Sequence, residues 1–527
     1  MYLTNQRQIR DPEKFPTVQL FLLAIVRLAE PIALTSIFPY AWPLVKKFNV
    51  GDETDASFYA GLLISAFALS ESLTGMFWGG LSDRIGRKPV LLAGCFGTMI
   101  SMVLVGFASN IWVALAGRAL GGILNGNIGV IQTMVGELVT KPEHEPRAYS
   151  IMPFVWSIGT IIGPAIGGFF ADPSNSFPES FSPDGIFGRF PYLLPNLICS
   201  GMLLVSIILG YFLLQETHPD MQPRVLLQDS TYTSDETPLI ATADAIKTPA
   251  VDLRADRYGT FEGSDDSIWR NSQLKEKPVK IFSKQIITLI VALGIFTYHT
   301  MSYDHLLPIF LEDKRGETLS SLSSFSASAM DIDPILSGGL GLSVQEVGVI
   351  MSINGIIALF VQAVIFPLAA EKLGIYHLFI AVTILHPIAY LIMPCLSYLP
   401  SSMVMVGIYF CLTIRNLLSI LAYPVLLIMI KEATPTPTVL GKINGLAASA
   451  GAACRTVAPP ISGYLYTLGS RFECNGLAWY GSAFVALIGA IQCFSIKRTK
   501  KAEEFAEIFD PKKVLVTVTE TSSLLSV

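Results

Sequence analysis

Charged side chains interrupt stretches of this sequence that are otherwise apolar enough to enter a bilayer. Asp304 lies in the run 284–311, with His299 and Tyr303 four residues apart on a shared helical face beside it. An acid and a histidine at membrane depth suit a proton relay. The alternative makes Asp304 the cap of a helix kinked at Pro308, or places it near the outer mouth. Arg27 and Glu30 are three apart, hence on one helix face, and Pro31 removes a backbone donor beside them. They form an internal ion pair, a proton-coupling site, or both. Glu71 lies midway along the next apolar run, and Arg118, Arg415 and Arg455 lie within later ones. A charge at the bilayer centre costs at least ~2.5–3.5 kcal/mol, so each needs a partner or a task. Arginine stays charged, so it holds its proton but governs the protonation of a neighbouring acid. Arg415 and Arg455 either face an anionic solute or pair with Glu71 or Asp304.

The runs that carry these charges define the architecture. The 527-residue chain is 51% hydrophobic and only 15% charged, against about 25% charged in soluble domains. That excludes a disordered chain, a coiled coil and a disulfide scaffold, and argues against a water-soluble enzyme. With 36 Lys+Arg and 41 Asp+Glu the net charge is −5, and no basic patch points to nucleic acid. Spans of about 20 apolar residues are expected at 18–45, 57–79, 89–108, 111–136, 148–171 and 190–214. Six more follow at 284–311, 344–368, 375–395, 401–430, 440–467 and 477–496. This divides the chain into an N-terminal six-helix half (1–214), a polar cytoplasmic linker without a core (215–283), a second half (284–496) and a cytoplasmic tail (497–527). The stretch 312–343 is a long Ser-rich external connection.

Met1 to Pro16 is polar, without a secretory signal pattern. The seven cysteines include no Cys-x-x-Cys, and no Asn-x-Ser/Thr sequon occurs. No disulfide framework, metal site or cofactor is expected. Arg84, Arg87, Lys88, Lys141, Arg147, Lys372, Lys431, Lys497, Arg498, Lys500 and Lys501 outnumber Lys46, Lys47, Arg189, Lys314, Arg315 and Arg471 on the other side. The bias places both termini in the cytosol.

The halves resemble each other. Gly163-Pro164-Ala165-Ile166-Gly167-Gly168 aligns with Ala458-Pro459-Pro460-Ile461-Ser462-Gly463, and the same offset sets Glu137 on Glu432. Asp83-Arg84-x-Gly86 aligns with Glu371-Lys372-x-Gly374, and Pro39 with Pro308. Six plus six helices with related halves imply a transporter that rocks around a midplane site.

Gly79-Gly80-Leu81-Ser82-Asp83-Arg84-Ile85-Gly86-Arg87-Lys88 resembles the loop 2–3 signature of the major facilitator superfamily. Gly159-x-x-x-Gly163-Pro164-x-x-Gly167-Gly168 resembles its antiporter motif, and Arg118 with Gly121-Gly122 its fourth-span motif. The resemblance covers essentially all spans. It implies an all-α integral membrane protein of 12 transmembrane helices in two pseudo-symmetric six-helix bundles, acting as a monomer. More narrowly, Arg27-Leu28-Ala29-Glu30-Pro31-Ile32, His299-Thr300-Met301-Ser302-Tyr303-Asp304 and Ile443-Asn444-Gly445-Leu446-Ala447 resemble the zinc-induced facilitator-like branch of the drug:proton antiporters. Plant members of that branch are linked to proton-coupled movement of metal chelators, potassium or organic anions. The resemblance implies that Arg118 supports proton transfer. It also implies that Asp83 latches the start of span eleven, near Gly441, when the protein faces outward.

The antiporter-motif glycines Gly159, Gly163, Gly167 and Gly168 suit close helix packing, and Pro164 adds a bend. Asn127, Gln132, Trp156, Tyr298, Tyr303, Asn354, Gln362, Asn416 and Tyr423 are polar or aromatic residues within spans, candidates for the cavity wall or plain packing residues. The leading expectation is proton-coupled antiport of a small solute (a metal chelate, organic ion or drug-like compound) across the lipid bilayer. A uniporter or symporter on the same fold competes, as does a non-transporting sensor. No phosphate-binding Gly-x-x-x-x-Gly-Lys-Ser/Thr occurs, and the six histidines form no hydrolytic cluster. Asp235-Glu236-Thr237-Pro238-Leu239-Ile240 and Glu520-Thr521-Ser522-Ser523-Leu524-Leu525 fit an acidic dileucine pattern that a sorting adaptor reads. They favour a vacuolar or lysosome-like membrane over the plasma membrane.

Overall fold

The structure is a computed structural model, and it describes residues 15–139, 145–218, 283–315, 338–434, 437–474 and 476–496. Most of the 215–283 linker, the middle of the 312–343 connection, the 497–527 tail and both dileucine patterns lie outside the described residues.

The described residues are helical, with a lone bridge between Arg315 and Gly338. The first half comprises α1 (Thr17–Thr35), α2 (Ala41–Lys47), α3 (Ala56–Ile85), α4 (Arg87–Gly106), α5 (Ile111–Leu124), α6 (Asn127–Leu138), α7 (Glu145–Phe169) and α8 (Leu193–Leu213). The second comprises α9 (Lys284–Glu312), α10 (Val344–Phe360), α11 (Phe366–Leu373), α12 (Ile375–Leu391), α13 (Ser401–Ala433), α14 (Pro437–Arg471) and α15 (Leu477–Cys493). Among the described residues, eight helical stretches are long and apolar enough to cross a membrane, and Phe154–Phe169 and Leu477–Cys493 are shorter apolar helices. Each span read from the sequence overlaps helix. Span eight is one rod, α10 joined to α11 through a wide turn at Val361–Ile365 with π-type hydrogen bonds.

The span expected at 111–136 is helix in two pieces. It is broken at Asn125-Gly126 into α5 and α6, where Asn125 turns extended at φ −94°, ψ 102°. The break is held open locally. The Trp78 indole donates to the Ile123 carbonyl at 2.7 Å, taking up an acceptor the helix no longer uses. Gly126 lets that ring approach, since a Cβ there would sit 2.1 Å from the Trp78 Cβ.

The repeat is visible in the backbone. Gly86 joins α3 to α4 at φ 102°, and Gly374 joins α11 to α12 at φ 71°. Both conformations favour glycine, which accounts for the aligned glycines of the two loops.

The halves meet along two seams, α3 against α14 and α7 against α10. A twofold that exchanges the halves exchanges these seams. Their tightest points lie toward one end. A Cβ on Gly61 would sit 2.4 Å from the Pro459 carbonyl oxygen, and one on Gly168 would sit 2.6 Å from the Gly348 Cα. The Thr467 hydroxyl donates to Thr54 O at 2.7 Å, His305 Nε2 lies 3.2 Å from Ser57 O, and Arg471 reaches Asp55 at 2.8 Å and Asp52 at 3.3 Å. Gln345 donates to the Ser176 hydroxyl at 2.5 Å. Near mid-depth the Ser157 hydroxyl donates to Gln362 Oε1 at 3.0 Å. At the opposite end, beside Gly79–Lys88, the loop's own bonds stay within the first half: Arg87 reaches Asp83, Ser82 and Glu137. The molecule is sealed on the face away from that loop.

Candidate functional site

In the first half, the break between α5 and α6 supplies what a buried carboxylate needs. Glu30 is 1% exposed. Asn125 Nδ2 donates to Glu30 Oε1 and Asn127 Nδ2 to Glu30 Oε2, each at 3.0 Å. Asn125 Oδ1 in turn accepts the Asn127 backbone N–H at 3.0 Å, fixing the orientation of the Asn125 amide. Gly94 clears the space, because a Cβ there would lie 2.1 Å from Asn127 Oδ1. The Arg27–Glu30 pair expected from spacing does not form. Glu30 turns to the two amides, while Arg27 Nε and Nη1 have no hydrogen-bond partner among the described residues. Pro31 and the broken helix opposite make the amides the nearer donors.

Glu71 has one carboxylate oxygen buried without a partner among the described residues. It lies within Coulombic range of Glu30, Arg455, Arg27 and Arg118. Arg118 is 3% exposed and stands over the Phe67 ring at 4.8 Å; its Nε donates to Leu63 O at 3.4 Å, and Nη1 has no partner among the described residues. Glu30, Glu71, Arg27 and Arg118 therefore share one electrostatic neighbourhood, and Arg455 joins it from the other half.

The second half presents a direct ion pair. Arg415 Nη2 of α13 meets Asp304 Oδ1 of α9 at 2.5 Å, with the Arg415 side chain 6% exposed and that of Asp304 39% exposed. This resolves the pairing the sequence left open. Arg415 also stands over the Tyr303 ring at 4.6 Å and donates to Asn416 Oδ1 at 3.3 Å. Asn416 Nδ2 donates to Asn354 O at 3.0 Å and Asn354 Oδ1 at 2.8 Å, tying the arginine to α10. Pro308, four residues after Asp304, leaves the Asp304 carbonyl without its usual helical donor.

His299 does not reach Asp304. Its Nδ1 lies 2.6 Å from the Tyr390 hydroxyl, and its ring packs 4.7 Å from that of His386. His386 and Tyr390, both on α12, were missed in the sequence, as was Asn125. A lone histidine in an apolar run gives little signal. An Asn-Gly-Asn run inside a span does mark a turn.

The remaining candidates are dispersed. Gln362 accepts from Ser157, and Tyr298 and Asn354 are half-buried. Gln132, Trp156, Tyr423 and Arg455 are exposed, Tyr423 lying against Phe296. The antiporter-motif glycines line α7 where it crosses α1 and α10. Cβ atoms would fall 2.5 Å from Pro31 at Gly159, 2.0 Å from Thr35 Oγ1 at Gly163 and 1.9 Å from Ser36 O at Gly167. Gly159 O accepts from the Thr35 hydroxyl at 3.1 Å. Pro164 sits between them, its carbonyl against Gly348.

In the loop motif, Asp83 pairs with Arg87 rather than reaching across to span eleven. Arg87 also binds Glu137 at 3.0 Å and the Ser82 hydroxyl at 2.8 Å. Glu216, beyond α8, accepts the backbone N–H groups of Arg87 at 2.9 Å and Lys88 at 3.0 Å, capping α4. Lys88 Nζ donates to Tyr211 O at 2.6 Å, and Arg84 is exposed. The Glu216 cap was not anticipated. The side-chain surroundings of Gly441 lie outside the described residues.

Both halves thus carry buried charged side chains within their helices, Glu30 and Arg118 in the first and Arg415 in the second. The Major Facilitator Superfamily model matches residues 23–332. The multidrug transporter mfsB of Aspergillus fumigatus is 38% identical, over 93% of this chain and 85% of that protein. The protein ZINC INDUCED FACILITATOR 1 of Arabidopsis thaliana is 28% identical, over 87% of this chain and 85% of its own length. A bacterial homolog of the human lysosomal transporter Spinster, solved inward-facing and occupied, superposes with TM-score 0.63 at 14% identity, covering 92% of this chain and 97% of that one. The chain belongs to the major facilitator superfamily and is an integral, multi-pass membrane transporter.

Removing the Glu30 charge tests the first-half site. In Glu30→Gln, one oxygen becomes an NH2 facing another NH2 donor. Reorienting Asn125 would cost its bond to the Asn127 N–H, and reorienting Asn127 would give up the contact of its Nδ2 with Cys95 Sγ at 3.8 Å. The variant is expected to lose about 1–3 kcal/mol of stability, read as a lower midpoint in a detergent thermal scan. Its pH-driven flux should fall about tenfold, as for 1.4 kcal/mol lost at one step. Unchanged flux would remove Glu30 from coupling.

Proposed function

We propose that this protein is a proton-coupled antiporter that moves a small solute by alternating access. The observation that carries the reading is the Asp304–Arg415 pair, one partner buried and the other partly exposed at membrane depth. Protonating such an acid frees the arginine, and a solute anion or a second conformation can then take its place. Glu30, Glu71 and Arg118 support a matching step in the first half.

The relatives named for multidrug transport and for zinc-induced facilitation favour an organic ion, drug-like compound or metal chelate as cargo. One pH unit is worth about 1.4 kcal/mol per proton, so two units sustain roughly hundredfold accumulation of a neutral solute at one proton each. With the Gly79–Lys88 loop in the cytosol, the seal described above is the outer one. The dileucine patterns favour residence in a vacuolar or lysosome-like membrane.

The test uses proteoliposomes with an acidic interior and an internal pH dye. Metal ions, metal chelators, potassium, organic cations and organic anions are added in turn. Solute-dependent loss of the acid interior is expected for one class. Radiolabelled uptake that ignores the pH gradient would indicate uniport instead.

Asp83 enters the same cycle. In the sealed state it binds Arg87 within its own loop. Its task in the opposite state is to hold the second half. Asp83→Asn is therefore expected to lower turnover severalfold while leaving cargo binding, measured by equilibrium dialysis, within twofold. The reverse pattern would make the loop part of the binding site.

A further inference from the structure

Glu312 ends α9, one residue beyond the apolar stretch 284–311. The chain folds back over this end. The N–H of Leu340 donates to Phe310 O at 3.0 Å, that of Leu342 to Leu311 O at 2.8 Å, and that of Gly341 to Asp313 O at 2.8 Å. Residues 338–342 thus roof the last turn and satisfy its carbonyls. The Glu312 carboxyl gains nothing from this. Both its oxygens are inaccessible and have no hydrogen-bond partner among the described residues.

The groups that face it come from both halves. Lys46 of α2 and Tyr192, just ahead of α8, lie within Coulombic range from the first half. Lys46 stands over the Trp42 ring at 3.7 Å, and Tyr192 stacks on Tyr40 at 5.3 Å. Asp172 lies near both Tyr192 and Lys47. Next in the chain, just past the end of α9, Asp313 accepts from the Tyr466 hydroxyl at 2.8 Å. Burial pushes the Asp313 carboxyl up, and the tyrosine bond opposes that. The second-half residues Phe310 and Leu311 pack in one cluster with Tyr40, Trp42 and Val45 of the first half. Glu312 therefore sits inside the outer seal.

Two independent effects disfavour a negative charge there. A buried carboxylate without hydrogen bonds is costly, and the C-terminal end of a helix carries partial negative charge. Parting the halves would give the carboxyl water and remove the first effect.

We propose that Glu312 is a proton site of the outer seal: it carries a proton while the halves are closed over it and releases that proton to the outer compartment when they part. The balance is one proton, taken from the outer medium by the carboxylate on closing and returned on opening. Because the closed form binds the extra proton, acid favours closure and alkali favours opening. The closed-to-open ratio falls by up to about tenfold per pH unit between the carboxyl's open-state and its higher closed-state pKa. This deepens the antiport reading and rests on its rocking halves.

The test is a distance measurement without cargo. The full chain, with its seven native cysteines replaced, carries spin labels at Val50 and Phe472, one on each half's outer end. Distance distributions are recorded in lipid nanodiscs from about pH 5 to about pH 9. The parent is expected to open with rising pH, and Glu312→Gln to stay closed with a flat response. Glu312→Asp, which keeps the acid, and Asp313→Asn, which leaves Glu312 intact, should both keep a slope. A parent that ignores pH, a Gln variant with the parental slope, or a flat Asp variant would each overturn the proposal. A flat parent alongside intact gradient-driven transport removes this inference alone. A sloped parent that moves no protons with cargo removes the antiport reading alone.

Discussion

Asp304→Asn is expected to abolish pH-driven flux while leaving solute-for-solute exchange in place. The Arg415 side chain is 6% exposed and finds in Asp304 its ion-pair partner. Removing one member of a buried pair costs about 3–5 kcal/mol, because the other charge stays uncompensated. The partly exposed Asp304 side chain puts this site at the low end of that range. At 3 kcal/mol the affected step slows by roughly a hundredfold. The asparagine also imitates an aspartic acid that never gives up its proton. Exchange of labelled for unlabelled solute needs no proton release, so it should persist. A double variant, Asp304→Asn with Arg415→Gln, removes both charges and should recover most of the lost stability, but not the coupling. If Asp304→Asn responds to a pH gradient as the parent does, the proton site lies elsewhere.

Gly168→Val is expected to hold the outer seal open. The Gly168 Cα packs directly on Gly348 across the α7–α10 seam, and an added Cβ would lie 2.6 Å from the Gly348 Cα and 2.7 Å from Val344 O. Both obstacles are backbone, so no side chain can swing aside. Overpacking of this kind costs about 1–3 kcal/mol. That shifts the closed-to-open ratio by roughly fivefold to over a hundredfold. Transport should fall accordingly, and thiol reagents added outside should reach a cysteine at Ser57 faster. Gly201→Val is the control. Nothing among the described residues lies within 4 Å of its Cβ position, and its effect should stay within about 0.5 kcal/mol. Equal losses in both variants would mean that general damage, not the seam, is being read.

The spans were legible because lipid demands long apolar runs, and residue type alone reveals those. The related halves were legible too, and the paired Gly86 and Gly374 conformations explain why glycine recurs. The Arg27–Glu30 pairing misled because spacing on one helix says nothing about donors on another. Asn125 and Asn127 reach Glu30 only because α5 and α6 part between them. That break is a tertiary event, stabilised by Trp78 from α3. The partner of Arg415 was likewise undecidable in sequence, where Glu71 and Asp304 are equivalent acids. Three-dimensional crossing of α9 and α13 makes the choice. His386 and Glu312 carry no motif, and their interest comes entirely from what surrounds them.

The central claim is that cargo and protons move in opposite directions through one cycle. It is tested most directly without any imposed pH gradient. Proteoliposomes are loaded with the cargo found in the solute panel and diluted into cargo-free buffer of the same pH, with a pH dye inside. Antiport predicts that the interior acidifies as cargo leaves, and that Asp304→Asn liposomes do not acidify. Cargo leaving with no change in internal pH, or with the interior turning alkaline, would contradict it.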